Sequence, residues 1–237
     1  MSLTILFQDD HYVAIDKPAG MLVHRSPISR DRVFVLQRLR DQIGRRVYPV
    51  HRLDRATSGV LLFALSADAA KKAGSLFEDD AMTKEYLAVV RGWTDTEGII
   101  EHAIADDEGN GVAQPATTRY RRLATIELPH AVDRYPSARY SLVAVEPVTG
   151  RRQQIRKHFK HISHHLIGDT THGNGRHNRF FRDRLGIDGL LLMAARLGLR
   201  HPYTGRSVCI TAAPAEHCQR AFALFGYAPG VTPTRTP

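Results

Sequence analysis

The chain has 237 residues, 43% of them hydrophobic, and a net charge of +9. That length allows one large domain or two small ones around a real core, and the positive charge predicts attraction to a polyanion. Two cysteines, Cys209 and Cys218, provide neither a disulfide framework nor a metal spacing, so a reducing cytosol is the expected compartment. The longest apolar runs, 60–65 and 190–195, are six residues each, too short to cross a membrane as a helix. The opening MSLTILFQDD sets two aspartates directly after a short apolar run, which is not the pattern of a signal peptide.

Residues 3–7 and 12–15 read as a hairpin with its turn at Gln8-Asp9-Asp10. Residues 31–43 place Phe34, Val35, Leu39 and Ile43 in helical phase, with Gly44 as the stop. The unbroken apolar run 60–65 predicts a strand covered on both faces. Ser66 is positioned to cap a helix reaching Phe77, and 86–90 is a further strand. The Gly- and Asp-rich stretch 94–116 is expected to be irregular. TTRYRRLATIEL and ARYSLVAVEP predict two strands about a proline-flanked loop. Residues 151–165 fit a helix with Ile155, Phe159 and Ile162 on one face. LLLMAARLGLRHP and RSVCITA predict a strand pair joined at Tyr203-Thr204-Gly205. Pro214 and Gly226 bracket a last helix, and 229–237 reads as a disordered tail. Strands dominate without regular βα alternation. The expected class is therefore α+β, with a mixed, largely antiparallel sheet flanked by helices and loops. Neither GxGxxG nor a P-loop occurs, so no nucleotide cofactor is indicated.

HRLDRATSGVLLFAL is the most informative segment. Asp54 stands between Arg52 and Arg55 at the mouth of the apolar strand. A carboxylate held there among guanidiniums stays ionised and suits nucleophilic attack better than proton donation. Taken alone, an aspartate flanked by arginines more often marks a structural salt bridge beside a tight Thr57-Ser58-Gly59 turn. Between 149 and 184 there are nine Lys or Arg against two Asp, together with six His, which makes a plausible phosphate-tracking face. His158, His161 and His165 share a helical face, but the lysines interleaved at 157 and 160 and the lack of HExxH argue against a metal.

HRLDRATSGVLLFAL resembles the second motif of the RluA-type pseudouridine synthases. DKPAGMLVHR (16–25) resembles that family's first motif, KEYLAVVRG (84–92) its tyrosine-bearing segment, TGRRQQIRKHF (149–159) its arginine motif, and RLGLRHP its closing strand. The matches keep the family's order from about residue 3 to 212 and imply one catalytic domain over 1–228. The resemblance implies that Asp54 is the catalytic carboxylate, that Tyr86 packs on the base, that Arg156 pairs with Asp54, and that Arg52 fills the space left by a flipped nucleotide. It also implies substrate contacts from Arg55, Thr57, Arg151 and Gln154. The reaction it implies is uridine to pseudouridine in RNA without a cofactor, by a cytoplasmic monomer. The longer strings VHRSPISRD, QPATTRYRRLATIELP and IGDTTHGNGRHNRFF resemble the tRNA-modifying members and imply a tRNA substrate modified at uridine 65. Two family histidines are replaced, by Gln153 and by Met193. Two other readings use the same residues: a glycosidic hydrolase, which would need a second carboxylate, and a non-catalytic RNA-binding protein.

Overall fold

A computed structural model of the protein describes residues 2–25, 33–78, 82–105 and 111–227. The start of the expected 31–43 helix and the expected tail 229–237 lie outside the described residues. In chain order the strands are β1 (Thr4–Gln8), β2 (Tyr12–Lys17), β3 (Tyr48–Pro49), β4 (Ser58–Ala64), β5 (Met82–Arg91) and β6 (Glu97–Glu101). They continue with β7 (Ile104–Ala105), β8 (Ala113–Gln114), β9 (Thr117–Leu128), β10 (Ala138–Pro147), β11 (Leu192–Arg200) and β12 (Ser207–Thr211). The helices are α1 (Val35–Ile43), α2 (Ala67–Glu78), α3 (Gln154–His161), α4 (Gly175–Leu185) and α5 (Glu216–Ala223). The class is α+β, and the pairing is mixed and mostly antiparallel, as expected.

The chain divides into two compact units, Met1–Lys84 with Met193–Ala215, and Glu85–Leu192 with Glu216–Pro237. In the first, the strands run β1-β2-β4-β11-β12, with β3 also on β4. The β4–β11 pair is parallel and the others are antiparallel. All seven residues of β4 are buried, which is what an unbroken apolar run requires. Tyr12, Val60, Leu62, Leu197 and Ile210 pack with Ala69 and Ala73 of α2. Small residues on α2 allow this close approach. Its start is fixed by Ser66, whose Oγ accepts the Ala69 N–H at 3.1 Å.

The parallel step of β4 onto β11 demands a glycine. Gly59 has φ +106°, and a Cβ there would lie 2.1 Å from the Ala194 carbonyl oxygen. Gly59→Ala should therefore lower stability by about 4 kcal/mol or more, since it combines a forbidden backbone angle with overlap against rigid main chain. Urea unfolding measures this. A midpoint equal to that of the parent would show that the strand pair yields easily.

In the second unit the order is β5-β10-β9-β6, all antiparallel, with β7–β8 as a separate pair. Strands β6, β7 and β8 correct the expectation that 94–116 is irregular. Ile100 is buried (4%) and β6 pairs along β9 from Glu97↔Arg121 to Glu101↔Thr117, so the edge of β9 organises a segment of weak intrinsic strand character. Helix α4 was not expected either. It is capped by Asn174, whose side chain accepts the Arg176 N–H, and closed by left-handed Gly186. Helix α3 is shorter than the expected 151–165. Gln153 adopts φ +54°, so the helix begins only at Gln154. Tyr120 of β9 lies 5.4 Å from the Phe159 ring of α3, and Tyr140 of β10 meets Phe181 of α4 edge-on at 4.9 Å.

Candidate active site

In the first unit the site is the turn 51–58, which delivers the chain into β4. The Thr57 N–H donates to the Asp54 carbonyl at 3.1 Å, closing the turn just before the strand begins. Asp54 is half-buried, Arg52 and Arg55 are exposed, and Thr57 is 2% exposed. The turn is laced to the loop after β2. The Gly20 N–H donates to the Arg55 carbonyl at 2.8 Å, and Arg55 Nε donates to the Gly20 carbonyl at 3.0 Å.

Lys17 fastens the same junction from below. Its side chain is fully buried, and Nζ donates to the carbonyls of Pro18 (2.7 Å), Met21 (2.8 Å) and Arg55 (3.1 Å). Burial pulls its pKa down to about 7, while the carboxylates of Asp54 and Asp16 pull it back up. Three carbonyl acceptors match the three N–H donors of an ammonium and exceed the two of a neutral amine, so the protonated form is the one that satisfies this pocket. Asp16 is held above the usual carboxylate range by burial, against a backbone hydrogen bond from Gly59 and the Lys17 charge. Sequence reasoning quoted Lys17 inside a motif but gave it no role. A lysine followed by proline at a strand end carries no sign that it points inward.

His51, three residues before Asp54, braces the turn against β4. The Leu62 N–H donates to its Nε2 at 3.1 Å, which requires a neutral ring protonated at Nδ1. Burial, then the Lys84 charge, brings its pKa down to about 4. In the second unit His177 is likewise brought down to about 4 by burial, then by Arg91, and it hydrogen-bonds the Tyr140 hydroxyl at 2.9 Å. Both rings are neutral when folded, whereas the unfolded chain protonates near pH 6.5. Stability should therefore be full above that pH and fall by a few kcal/mol as pH drops from about 6.5 to 4. Chemical denaturation at pH 7.5 and 4.5 tests this, and His177→Gln should flatten the profile. A parent midpoint unchanged between the two pH values would contradict it.

In the second unit, Tyr86 sits on β5 opposite Val145 and is half-buried. Arg156, 7% exposed, lies in the first turn of α3. Its Nε and Nη2 donate to Oδ2 and Oδ1 of Asp169 at 2.7 and 2.8 Å, a two-point ion pair that sequence reading did not find. Gln154, expected to bind substrate, is 4% exposed. Its Oε1 accepts from Thr149 Oγ1 (2.7 Å) and the Arg151 N–H (3.0 Å), and its Nε2 donates to the Thr117 carbonyl (2.9 Å) and Thr118 Oγ1 (3.0 Å). That uses the amide fully within the protein. Arg151 is exposed, with Nε on the Pro115 carbonyl at 3.3 Å. Of the histidines considered for metal, His158 and His161 are engaged within the protein. His158 Nε2 donates to the His102 carbonyl at 3.0 Å, and the His102 and His161 rings stack at 3.8 Å. Asp54, Arg52, Arg55 and Thr57 thus share one turn, while Tyr86, Arg151, Gln154 and Arg156 belong to the other unit.

Residues 11–161 match the family model described as RNA pseudouridylate synthase. The chain is 45% identical to tRNA pseudouridine synthase C of Vibrio vulnificus, covering 94% of this chain and 95% of the relative. It is 46% identical to the protein of the same name from Yersinia pestis, covering 98% and 93%. Among solved structures, human RNA pseudouridylate synthase domain containing 4 superposes with a TM-score of 0.73 at 21% identity, over 94% of this chain and 93% of that one.

Proposed function

Because the chain belongs to the RNA pseudouridylate synthase family, we propose that it converts uridine 65 of tRNA to pseudouridine. The reaction breaks the N1–C1′ bond, turns the base and joins C5 to C1′. It exchanges no electrons and imports no atoms, so it calls for no cofactor. Asp54 acts on the nucleotide, by attack at C1′ or by deprotonation that opens a glycal route. Arg156 contributes its positive charge to the reaction. Tyr86 packs on the base and assists loss of the C5 proton. A base stacked in an RNA helix must first be flipped out, at a cost of a few kcal/mol, and Arg52 occupies the vacated space. Arg55, Thr57 and Arg151 contribute to holding the nucleotide, with Thr57 acting through the backbone turn that it closes. On this reading the catalytic domain spans 1–228, and the protein works as a cytoplasmic monomer.

The observation that carries this reading is the aspartate-bearing turn 51–58, set at the mouth of a buried strand in a chain that aligns almost end to end with tRNA pseudouridine synthases C. The hydrolase reading is disfavoured by the turn's chemistry. The groups around Asp54 are cationic, Lys17, Arg52 and Arg55, and the nearby Asp16 takes a backbone hydrogen bond from Gly59. Incubation with an unmodified tRNA transcript separates the readings. Isomerisation leaves the RNA mass unchanged and gives one carbodiimide-dependent primer-extension stop at position 65. Free uracil, or a stop elsewhere, would overturn the assignment.

A further inference from the structure

Trp93, the chain's only tryptophan, stands just past the end of β5 and is 44% exposed. A lone exposed ring is ordinary on a protein surface, but this one is also held still. Its Nε1–H donates to the Ile126 carbonyl, near the end of β9, at 3.2 Å. The Arg139 guanidinium, at the start of β10, lies over the ring at 4.2 Å from its centroid. Arg139 Nε is held in turn by Glu127 Oε1 at 3.3 Å, and Glu127 accepts from the Ser137 hydroxyl. The main chain is pinned alongside. The Gly92 N–H donates to the Arg139 carbonyl at 2.7 Å, and the Thr94 N–H donates to Ser141 Oγ at 3.1 Å. The polar atom of the indole is thus spent inside the protein, and what is left to water is aromatic carbon. The same end of the sheet carries a second ring. The loop 129–137 between β9 and β10 exposes Tyr135 (54%), with the Arg134 guanidinium 4.9 Å from its centroid. That loop rests on α4: the His130 ring is 5.3 Å from that of Phe180, and Asp133 pairs with Arg176, whose side chain stays 64% exposed.

We propose that this end of the sheet binds unpaired nucleotides of the RNA outside the modified uridine: a base stacks on Trp93, and the phosphates beside it meet Arg134 and Arg176. The inference rests on RNA being the substrate, as under the proposed function, and on nothing at the reacting site. Aromatic rings interleaved with arginines suit a single strand, because every base offers a π-face and every step a phosphate. Bases stacked within a duplex cover one another and cannot reach the ring. The indole is already fixed by Ile126 and Arg139, so stacking on it freezes little further side-chain freedom. Charge selects the same partner. Helix α4, on which the loop rests, carries Arg176, Arg179, Arg182 and Arg184 against Asp183. A second copy of this chain would bring the same net charge of +9 and be repelled, whereas a polyanion is drawn in.

With one indole in the chain, tryptophan emission reports this surface alone. The full-length protein is titrated with an unmodified tRNA transcript, with a short oligouridylate and with a blunt RNA duplex. The expected result is saturable quenching by the transcript and the oligouridylate, and none by the duplex. Trp93→Ala should weaken tRNA binding about 10-fold, raising KM while kcat stays within about twofold of the parent. Arg134→Gln, on an exposed loop, should reduce the slope of log affinity against log salt by about 1. Transcript binding without any change in emission overturns the inference. So does a Trp93→Ala protein that binds tRNA with parental affinity per folded molecule, whether or not its unfolding midpoint has dropped, since the indole would then only brace the β9–β10 hairpin. Emission that changes with protein concentration alone, with a dimer in sedimentation, gives the surface to a second copy and also overturns it. The proposed function is read separately, from the primer-extension stop at position 65. Quenching without that stop leaves this surface standing as an RNA contact and removes the proposed reaction; the stop without quenching removes this inference alone.

Discussion

Asp54→Asn should leave tRNA bound and unmodified, with turnover reduced by roughly 10⁴-fold or more. Asparagine has nearly the same shape, and the contact that shapes the turn is the Asp54 carbonyl accepting from Thr57, which the substitution does not touch. What disappears is a half-buried anion beside the fully buried Lys17 ammonium. A neutral amide can neither attack C1′ nor take a proton at a useful rate. Affinity for tRNA should stay within a few-fold, because phosphate contacts from the basic surface dominate binding. The measurement is carbodiimide primer extension on tRNA after prolonged incubation with the variant. A stop at position 65 equal to that made by the parent would mean that Asp54 is not the reacting group. It would also return the chain to the non-catalytic RNA-binding reading.

The parts of the molecule visible in the sequence are those whose local pattern and tertiary setting agree. β4 is a run of seven buried residues and reads as such. The β11–β12 hairpin announces itself through Tyr203-Thr204-Gly205, and α2 through Ser66. β6 was hidden because EGIIE has too little pattern of its own; it becomes a strand by completing the edge of β9. α4 was hidden because its three buried residues, His177, Phe180 and Phe181, sit among charged ones that look like a solvated run.

The residues to which the proposed reaction gives roles stand in motifs that can be read along the chain, whereas the side chains that hold them do not. Asp54, Tyr86 and Arg156 stand in short motifs. Asp169 lies 13 residues beyond Arg156, and its pairing depends on how a loop folds. The available signal was the glycine spacing of GDTTHG, in which Gly168 and Gly173 flank an aspartate that can bond its own following N–H groups. Gln154 shows how much of a side chain's setting a motif leaves out. A polar residue in a functional motif suggested substrate contact, yet its four hydrogen bonds all go to the protein.

Lys17 gives the second large effect. Lys17→Met keeps an unbranched apolar stem out to Cε but removes Nζ and with it all three N–H donors. The carbonyls of Pro18, Met21 and Arg55 then lose their shared partner inside the protein. Each buried carbonyl left without a donor costs about 1–3 kcal/mol, so stability should fall by about 3 kcal/mol or more. The Arg55 carbonyl is one residue from Asp54, so loosening it moves the reacting carboxylate as well. A displacement of about 1 Å at a reacting group costs roughly 10²-fold in rate. The variant should therefore show both a lower urea midpoint and a kcat reduced by about 10²-fold, measured at low temperature where the folded fraction is still high and normalised to it. Stability and rate are separate readouts. A destabilised variant with parental kcat per folded molecule would make Lys17 a prop of the β2 loop alone. A fully active variant of unchanged stability would mean that the ammonium and its three carbonyls do not hold the turn at all.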